Sequence, residues 1–136
     1  MDSFLRWIGG KRLLRKTIVS LIPQHTTYVE PFGGAAWVLF HKPKSEVEVY
    51  NDINSELTNL FLQVKYHPLA LEKEIEFMIK SRKMFRLMRD YKPLTEIQRA
   101  ARFYFLIIVS FGAKGGNFGT MKKSGGGSSY ITFKCC

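Results

Sequence analysis

Hydrophobic and polar positions follow two different periods along this chain. From Lys11 to Ile22, Leu14, Ile18 and Leu21 recur at helical spacing, Arg12, Arg15 and Lys16 take the other side, and Pro23 stops the run. The pattern predicts a helix with its leucines turned inward. Thr26 to Glu30 is rich in strand formers and predicts a short strand. Pro31, Phe32, Gly33 and Gly34 predict a tight turn, and Ala35 to His41 a helix opening on small residues. Val47, Val49 and Tyr50 suggest a second strand. Asn51 to Asn54 is a polar turn whose side chains suit the cap of a helix over Ser55 to Tyr66. Strand, turn, helix, strand in this order is a βαβ unit, so the two strands are expected to be parallel.

Beyond residue 67 the period becomes helical. Leu71, Ile75, Met78, Phe85 and Met88 form an apolar stripe interrupted by Arg82. Pro93 breaks the run, and Thr95 with Gln98 reads as a capping box for a helix whose inner face is Ile97, Ala101, Tyr104 and Ile108. A helical subdomain over about 68–110 is the result. Ser129 to Phe133 could add one weak strand.

Charge sharpens this division. Among the 136 residues, 21 Lys and Arg oppose 11 Asp and Glu, a formal net charge of +10. Residues 1–64 hold seven bases and six acids, and residues 65–136 hold fourteen bases and five acids, so the halves carry +1 and +9. An acidic partner is favoured, nucleic acid before an anionic membrane surface. Lys80, Arg82, Lys83, Arg86, Arg89 and Lys92 face only Asp90 within the same stretch. Arg82, Arg86 and Arg89 share a helix face at three- and four-residue spacing, which suits phosphate contact as well as an ordinary solvated surface. No apolar run has the length of a membrane-spanning helix, and no secretory leader is visible. The two cysteines, Cys135 and Cys136, are adjacent and cannot staple a fold, which points to a reducing, cytoplasmic setting. His25, His41 and His67 lie far apart with no cysteine partners, so no metal site is expected.

Three segments carry candidate chemistry in the near-neutral half. The turn Glu30-Pro31-Phe32-Gly33-Gly34 follows a strand and opens a helix, where bare backbone N–H groups can meet a ligand. It lacks the glycine spacing of dinucleotide sites, and Glu30 suits a cationic ligand better than a pyrophosphate. Asp52 ends the second strand, the position at which doubly wound sheets hold ribose hydroxyls. Trp7-Ile8-Gly9-Gly10-Lys11 sets an aromatic and a cation around two glycines. Each segment also has a plain structural reading: a tight βα turn, a helix cap, and an N-terminal turn with a core tryptophan. The glycine turn and Asp52 together describe a nucleoside-containing ligand at the carboxyl end of a parallel sheet.

In this order the three segments resemble the N-terminal part of the Dam-like, D12-class family of S-adenosylmethionine-dependent DNA adenine N6-methyltransferases. The matching residues are Trp7 to Lys11, Tyr28 to Gly34 and Asn51 to Asn54, and Tyr104 to Gly119 resembles the family's helix and glycine-containing loop near DNA. The resemblance implies a partial Rossmann-like α/β methyltransferase fold, a short parallel sheet with an inserted helical subdomain. Its expected divisions are a cofactor-binding part over 1–67, a helical target-recognition region over 68–119, and a Gly/Ser-rich tail over 120–136. It implies S-adenosyl-L-methionine as cofactor, lined by Trp7 and Lys11, with its methionine part held by Glu30, Phe32, Gly33 and Gly34 and its ribose by Asp52. Double-stranded DNA is the implied partner, met by Arg82, Arg86 and Arg89 and by Lys114 and Asn117 of the glycine loop.

One departure bears on activity. The family's Asp-Pro-Pro-Tyr motif, which orients the target amine, is absent; the five prolines are Pro23, Pro31, Pro43, Pro68 and Pro93. No catalytic residue is therefore assigned, and the chain alone is expected to transfer little or no methyl. The run Lys122 to Cys136 does not resemble the family's continuation, and a truncated or frame-shifted end is expected. Two alternatives are a non-catalytic nucleic-acid-binding module and a marginally folded gene remnant. A two-strand parallel sheet leaves an apolar face and an edge uncovered, which oligomerisation or a second chain could complete.

Overall fold

The computed structural model describes residues 2–119. The expected strand at Ser129 to Phe133, the tail and the cysteine pair lie outside the described residues. Two compact units divide after Leu57, within a helix and ten residues before the expected 67/68 division.

The first unit holds α1 (Arg15–Leu21), β1 (Thr27–Glu30), α2 (Trp37–His41), β2 (Val47–Tyr50) and the start of α3 (Ser55–Tyr66). β1 and β2 pair in parallel with Thr27 opposite Val47 and Glu30 opposite Tyr50, as the βαβ pattern requires. Leu5, Ala35, Ala36, Val38 and Leu57 are fully buried in it. α2 starts two residues later than expected because Gly34 and Ala36 both take positive φ, 52° and 55°, which delays the first helical turn. Asn54 caps α3 by accepting the Glu56 N–H at 3.0 Å.

α1 departs from the amphipathic reading. Residues 11–14 make turns and the helix begins at Arg15. Leu14 and Leu21 are 61% and 76% exposed, and of the expected inner face only Ile18 is half-buried. The reason is Trp37: the guanidinium groups of Arg12 and Arg15 stand 5.5 and 5.6 Å from its ring centroid. The aromatic face attracts the cations, and Leu14 and Leu21 stay exposed.

Lys42 is buried to 1% exposure. Its ammonium donates to the Pro43 carbonyl at 3.0 Å, to Ser45 Oγ at 2.7 Å and to Glu48 Oε1, so each of its three protons has an acceptor. The hydrogen bond from Lys42 holds the Glu48 carboxyl below its ordinary value, helped by the Ser45 N–H and opposed by burial. A folded pKa below the unfolded one adds stability above the ordinary carboxylate range and loses it as pH falls through the folded value. Lys42→Met is expected to cost about 1–3 kcal/mol at neutral pH, with the gap to the parent chain closing below about pH 4. Urea unfolding of both proteins at pH 7 and pH 3 measures it.

The second unit begins at Thr58 and contains the rest of α3, α4 (Pro68–Ile75), α5 (Arg82–Asp90), α6 (Glu96–Val109) and a 3₁₀ turn, Phe111–Ala113. α6 packs against both α4 and α5. The expected four-residue inner face of α6 is too narrow. Ala100, Ala101, Phe103, Tyr104, Phe105, Leu106, Ile107 and Val109 are all buried, while Ile97 and Ile108 are half-buried. A helix apolar on nearly every side is a core helix. The stripe from Leu71 to Met88 is not one helix either. α4 ends at Ile75, Phe77 takes φ 63°, and Ser81 caps α5 by accepting the Met84 N–H at 3.0 Å. Leu71, Ile75 and Phe85 still meet the core.

Thr95 caps α6 as expected, accepting the Gln98 N–H at 3.2 Å. The return bond differs from a capping box. Gln98 Oε1 accepts from the Leu94 N–H and the Tyr91 hydroxyl, at 3.1 and 3.2 Å. Arg102 on α6 donates to the last carbonyls of α5, from Nε to Met88 at 2.6 Å and from Nη2 to Arg89 at 2.8 Å.

Candidate functional site

The carboxyl ends of β1 and β2 hold the first candidate site, within the first unit. Glu30 ends β1 and is 5% exposed. Its Oε1 accepts from Lys11 Nζ at 2.8 Å and its Oε2 from the Leu39 N–H at 3.2 Å. Lys11 Nζ also donates to the Phe32 carbonyl at 2.8 Å. The negative charge expected to face a cationic ligand is therefore matched by Lys11, itself 37% exposed at the side chain. The pair leaves a partly open ammonium beside the turn, the group a ligand carboxylate would seek.

Asp52 closes the turn from the neighbouring strand. Its Oδ2 accepts the Gly34 N–H at 2.8 Å and its Oδ1 the Asn54 N–H at 2.9 Å. Helix capping falls to Asn54, so Asp52 is not the cap. It stays half-buried, with acceptor capacity beyond its two backbone bonds. Trp7 lies against the same turn: a Cβ on Gly34 would meet Trp7 Cδ1 at 3.2 Å. Phe32 is 77% exposed at the turn's outer edge. The seven residues Trp7, Lys11, Glu30, Phe32, Gly33, Gly34 and Asp52 thus gather around one turn, although they come from three separate segments.

Tyr50 is the residue the sequence reading passed over. Its hydroxyl donates to the Gly34 carbonyl at 2.7 Å, and its ring fills the space where a Gly33 side chain would stand. Burial, then the charges of Asp52 and Glu30, push its phenol pKa upward, so it remains a neutral donor. The available signal was its register: Tyr50 pairs with Glu30, and alternate residues of a strand share a face.

These residues fit a nucleoside that also carries an amino acid. An acid at the end of the second strand can accept from a ribose diol, an exposed ammonium can meet an α-carboxylate, and aromatic surface lies beside bare glycine backbone. A separate cavity of about 670 Å³ opens where the two strands begin, lined by Val19, His25, Lys42, Lys44 and Ser45 among others. None of the candidate residues lines it. His25 Nδ1 donates to the Pro23 carbonyl at 2.7 Å, and its Nε2 lies 2.8 Å from Ser45 Oγ.

The second candidate site lies in the second unit. Arg82, Arg86 and Arg89 are exposed along α5. The segment after α6 folds back on this helix: Ser110 bridges Phe118, and the Phe118 ring meets Phe85 at 5.8 Å and the Arg82 guanidinium at 5.9 Å. Phe111 N–H to Asn117 O at 2.8 Å and Gly119 N–H to Val109 O at 2.9 Å close the loop. Lys114 and Asn117 are exposed on it. The five residues proposed to meet DNA thus sit on one helix and on a loop pinned to that helix. Among the described residues no cluster of His, Cys, Asp and Glu could hold a metal ion, and no helix is long and apolar enough to cross a membrane.

Comparison with known proteins finds similarity over most of the chain. The model of the D12 class N6 adenine-specific DNA methyltransferases matches residues 7–114. The type II methyltransferase M1.LlaDCHI of Lactococcus lactis subsp. cremoris is 36% identical over 122 residues, which is 82% of this chain and 42% of that protein. A DNA adenine methylase of Vibrio cholerae is 31% identical over 137 residues, covering 89% of this chain and 49% of that one. The DNA adenine methylase of Escherichia coli K12 is 40% identical over 63 residues, 46% of this chain and 22% of that one. The chain spans less than half the length of these relatives.

Proposed function

Because the chain belongs to the D12 class of N6 adenine-specific DNA methyltransferases, we propose that it supplies the cofactor-holding turn and a DNA-contacting surface of such an enzyme. The methyl donor that the family requires is S-adenosyl-L-methionine, and the acceptor is adenine N6 in duplex DNA. The observation that carries the reading is the convergence of Trp7, Lys11 and Asp52 on the Gly33-Gly34 turn. When bound, the cofactor supplies an electrophilic methyl group on a sulfonium. Lys11, fixed by Glu30 and the Phe32 carbonyl, meets the ligand's carboxylate. Asp52 accepts from the ribose while keeping the turn closed, and Trp7 and Phe32 give apolar surface to the ligand. Tyr50 holds the turn's backbone in place. Arg82, Arg86, Arg89, Lys114 and Asn117 contact the duplex, the arginines by phosphate contacts that carry no sequence information.

The string Asp-Pro-Pro-Tyr does not occur in this sequence, so binding and turnover are tested separately. The chain alone is expected to bind S-adenosylhomocysteine in the micromolar range by calorimetry and to show no methyl transfer to duplex DNA with labelled cofactor. Asp52→Asn keeps the side chain's shape and one acceptor oxygen. It is expected to weaken binding about 10- to 100-fold, the loss of a hydrogen bond to a charged group. Unchanged affinity would remove Asp52 from the site, and clear turnover by the pure chain would overturn the division of labour.

A further inference from the structure

The end of β2 brackets the glycine turn. Tyr50, Asn51 and Asp52 each hold part of it. The Asn51 carbonyl accepts the Gly33 N–H at 2.9 Å, and Asn51 Nδ2 donates to the Pro31 carbonyl at 3.1 Å. Gly34 is held at both backbone groups, its N–H by Asp52 Oδ2 at 2.8 Å and its carbonyl by the Tyr50 hydroxyl at 2.7 Å. Gly34 and Ala36 take φ 52° and 55°. The left-handed region is unfavourable for a residue with a Cβ, so Ala36 keeps this conformation only while the bonds around it over-determine the turn.

The ring and the hydroxyl of Tyr50 act separately. The ring lies where a Gly33 side chain would stand, and a phenylalanine would fill that space equally. The hydroxyl adds the bond to Gly34. The two ends of the site depend on this bond unequally. Lys11, the group set to meet a ligand carboxylate, is anchored at Glu30 Oε1 and at the Phe32 carbonyl. Phe32 stands two residues before Gly34, so movement of the turn displaces one of these two anchors. Asp52 keeps a bond outside the turn, from the Asn54 N–H at 2.9 Å, and its place at the ribose end does not need Gly34.

We propose that Tyr50 is a positioning residue for the amino-acid end of the ligand: its hydroxyl fixes Gly34 and, through the turn, the Phe32 carbonyl that aims Lys11. This role rests on the cofactor reading and goes beyond it. Selectivity between ligands with and without the amino-acid part then depends on one hydroxyl bonded to backbone.

Tyr50→Phe in the full chain tests it, with S-adenosylhomocysteine and 5′-methylthioadenosine as probes. The second probe keeps the nucleoside and lacks the amino-acid part. By calorimetry Tyr50→Phe is expected to weaken S-adenosylhomocysteine about tenfold, the loss of one hydrogen bond, and 5′-methylthioadenosine by less than about twofold. Asp52→Asn should weaken both, since both carry the ribose. In hydrogen exchange without ligand, the Gly33 and Gly34 amides should exchange about tenfold faster in Tyr50→Phe. The Val47 amide, bonded to the Thr26 carbonyl across the sheet, should be unchanged. Equal weakening of both probes, no weakening of the first, or faster exchange throughout the sheet would each overturn the proposal, leaving the hydroxyl a role in the fold alone. Two failures are distinguishable. A parent chain that binds neither probe refutes the cofactor reading, and the role of Tyr50 falls with it. A parent chain that binds both, with its selectivity kept in Tyr50→Phe, refutes the role of Tyr50 alone.

Discussion

Gly33→Ala is expected to destabilise the first unit by about 1–3 kcal/mol and to abolish binding of S-adenosylhomocysteine. A Cβ at this position would lie 2.2 Å from Tyr50 Cε2 and 2.5 Å from Cδ2, well inside van der Waals contact. The ring cannot simply swing away, because its hydroxyl is tied to the Gly34 carbonyl. The Gly33 N–H is itself bonded to the Asn51 carbonyl at 2.9 Å, so the turn cannot retreat without losing its link to β2. Gly33 is not among the positive-φ residues, so the cost is collision alone. A double variant, Gly33→Ala with Tyr50→Leu, should therefore be less destabilised than the two single changes added together. Gly9→Ala is a useful contrast. It has open space around it but φ 67°, and about 1 kcal/mol of backbone strain is expected. Urea unfolding of the four variants gives the comparison, and additivity at Gly33 and Tyr50 would show that the ring does not enforce the glycine.

Replacing Arg82, Arg86 and Arg89 together by alanine is expected to flatten the salt dependence of duplex DNA binding. Each phosphate contact contributes about 0.9 to the slope of log affinity against log salt. Three lost contacts lower the slope by about 2.7, which removes about 40-fold of the affinity change between 50 and 200 mM salt. All three side chains are exposed, so folding stability should move by little more than about 0.5 kcal/mol. Fluorescence anisotropy across a salt series measures the slope. Arg86→Ala alone is the cleaner single change, because Arg82 also stands over Phe118. An unaltered slope in the triple variant would leave α5 as an ordinary solvated helix.

The βαβ core was legible in the sequence because its signals are local, whereas the seven candidate residues were grouped through the family resemblance, since they come from three separate segments. Strand formers alternate, glycines mark the turn, and an acid follows the second strand. α3 was read to its ends, since Asn54 and the apolar spacing act within a few residues. What escaped depends on partners distant in the chain. The outward leucines of α1 follow from Trp37 capturing Arg12 and Arg15, which no period reveals. The role of Glu30 changed because Lys11, nineteen residues earlier, returns to neutralise it. The breadth of the α6 core and the break after Ile75 likewise reflect packing among α4, α5 and α6, where tertiary contacts outweigh helical spacing.

If α5 contacts a duplex as proposed, the clamp that Arg102 places on its end bears on how fast that contact forms. A nine-residue helix is marginal by itself in water, and its cations would then wander with an unstructured chain. Here Ser81 at one end, Phe85 in the middle and Arg102 at the other hold it formed before any contact. On the proposed reading, the arginines would arrive on a helix already formed. Little backbone freedom would then be surrendered on docking, and the encounter rate would follow electrostatic attraction and not the slower step of winding a helix on the groove.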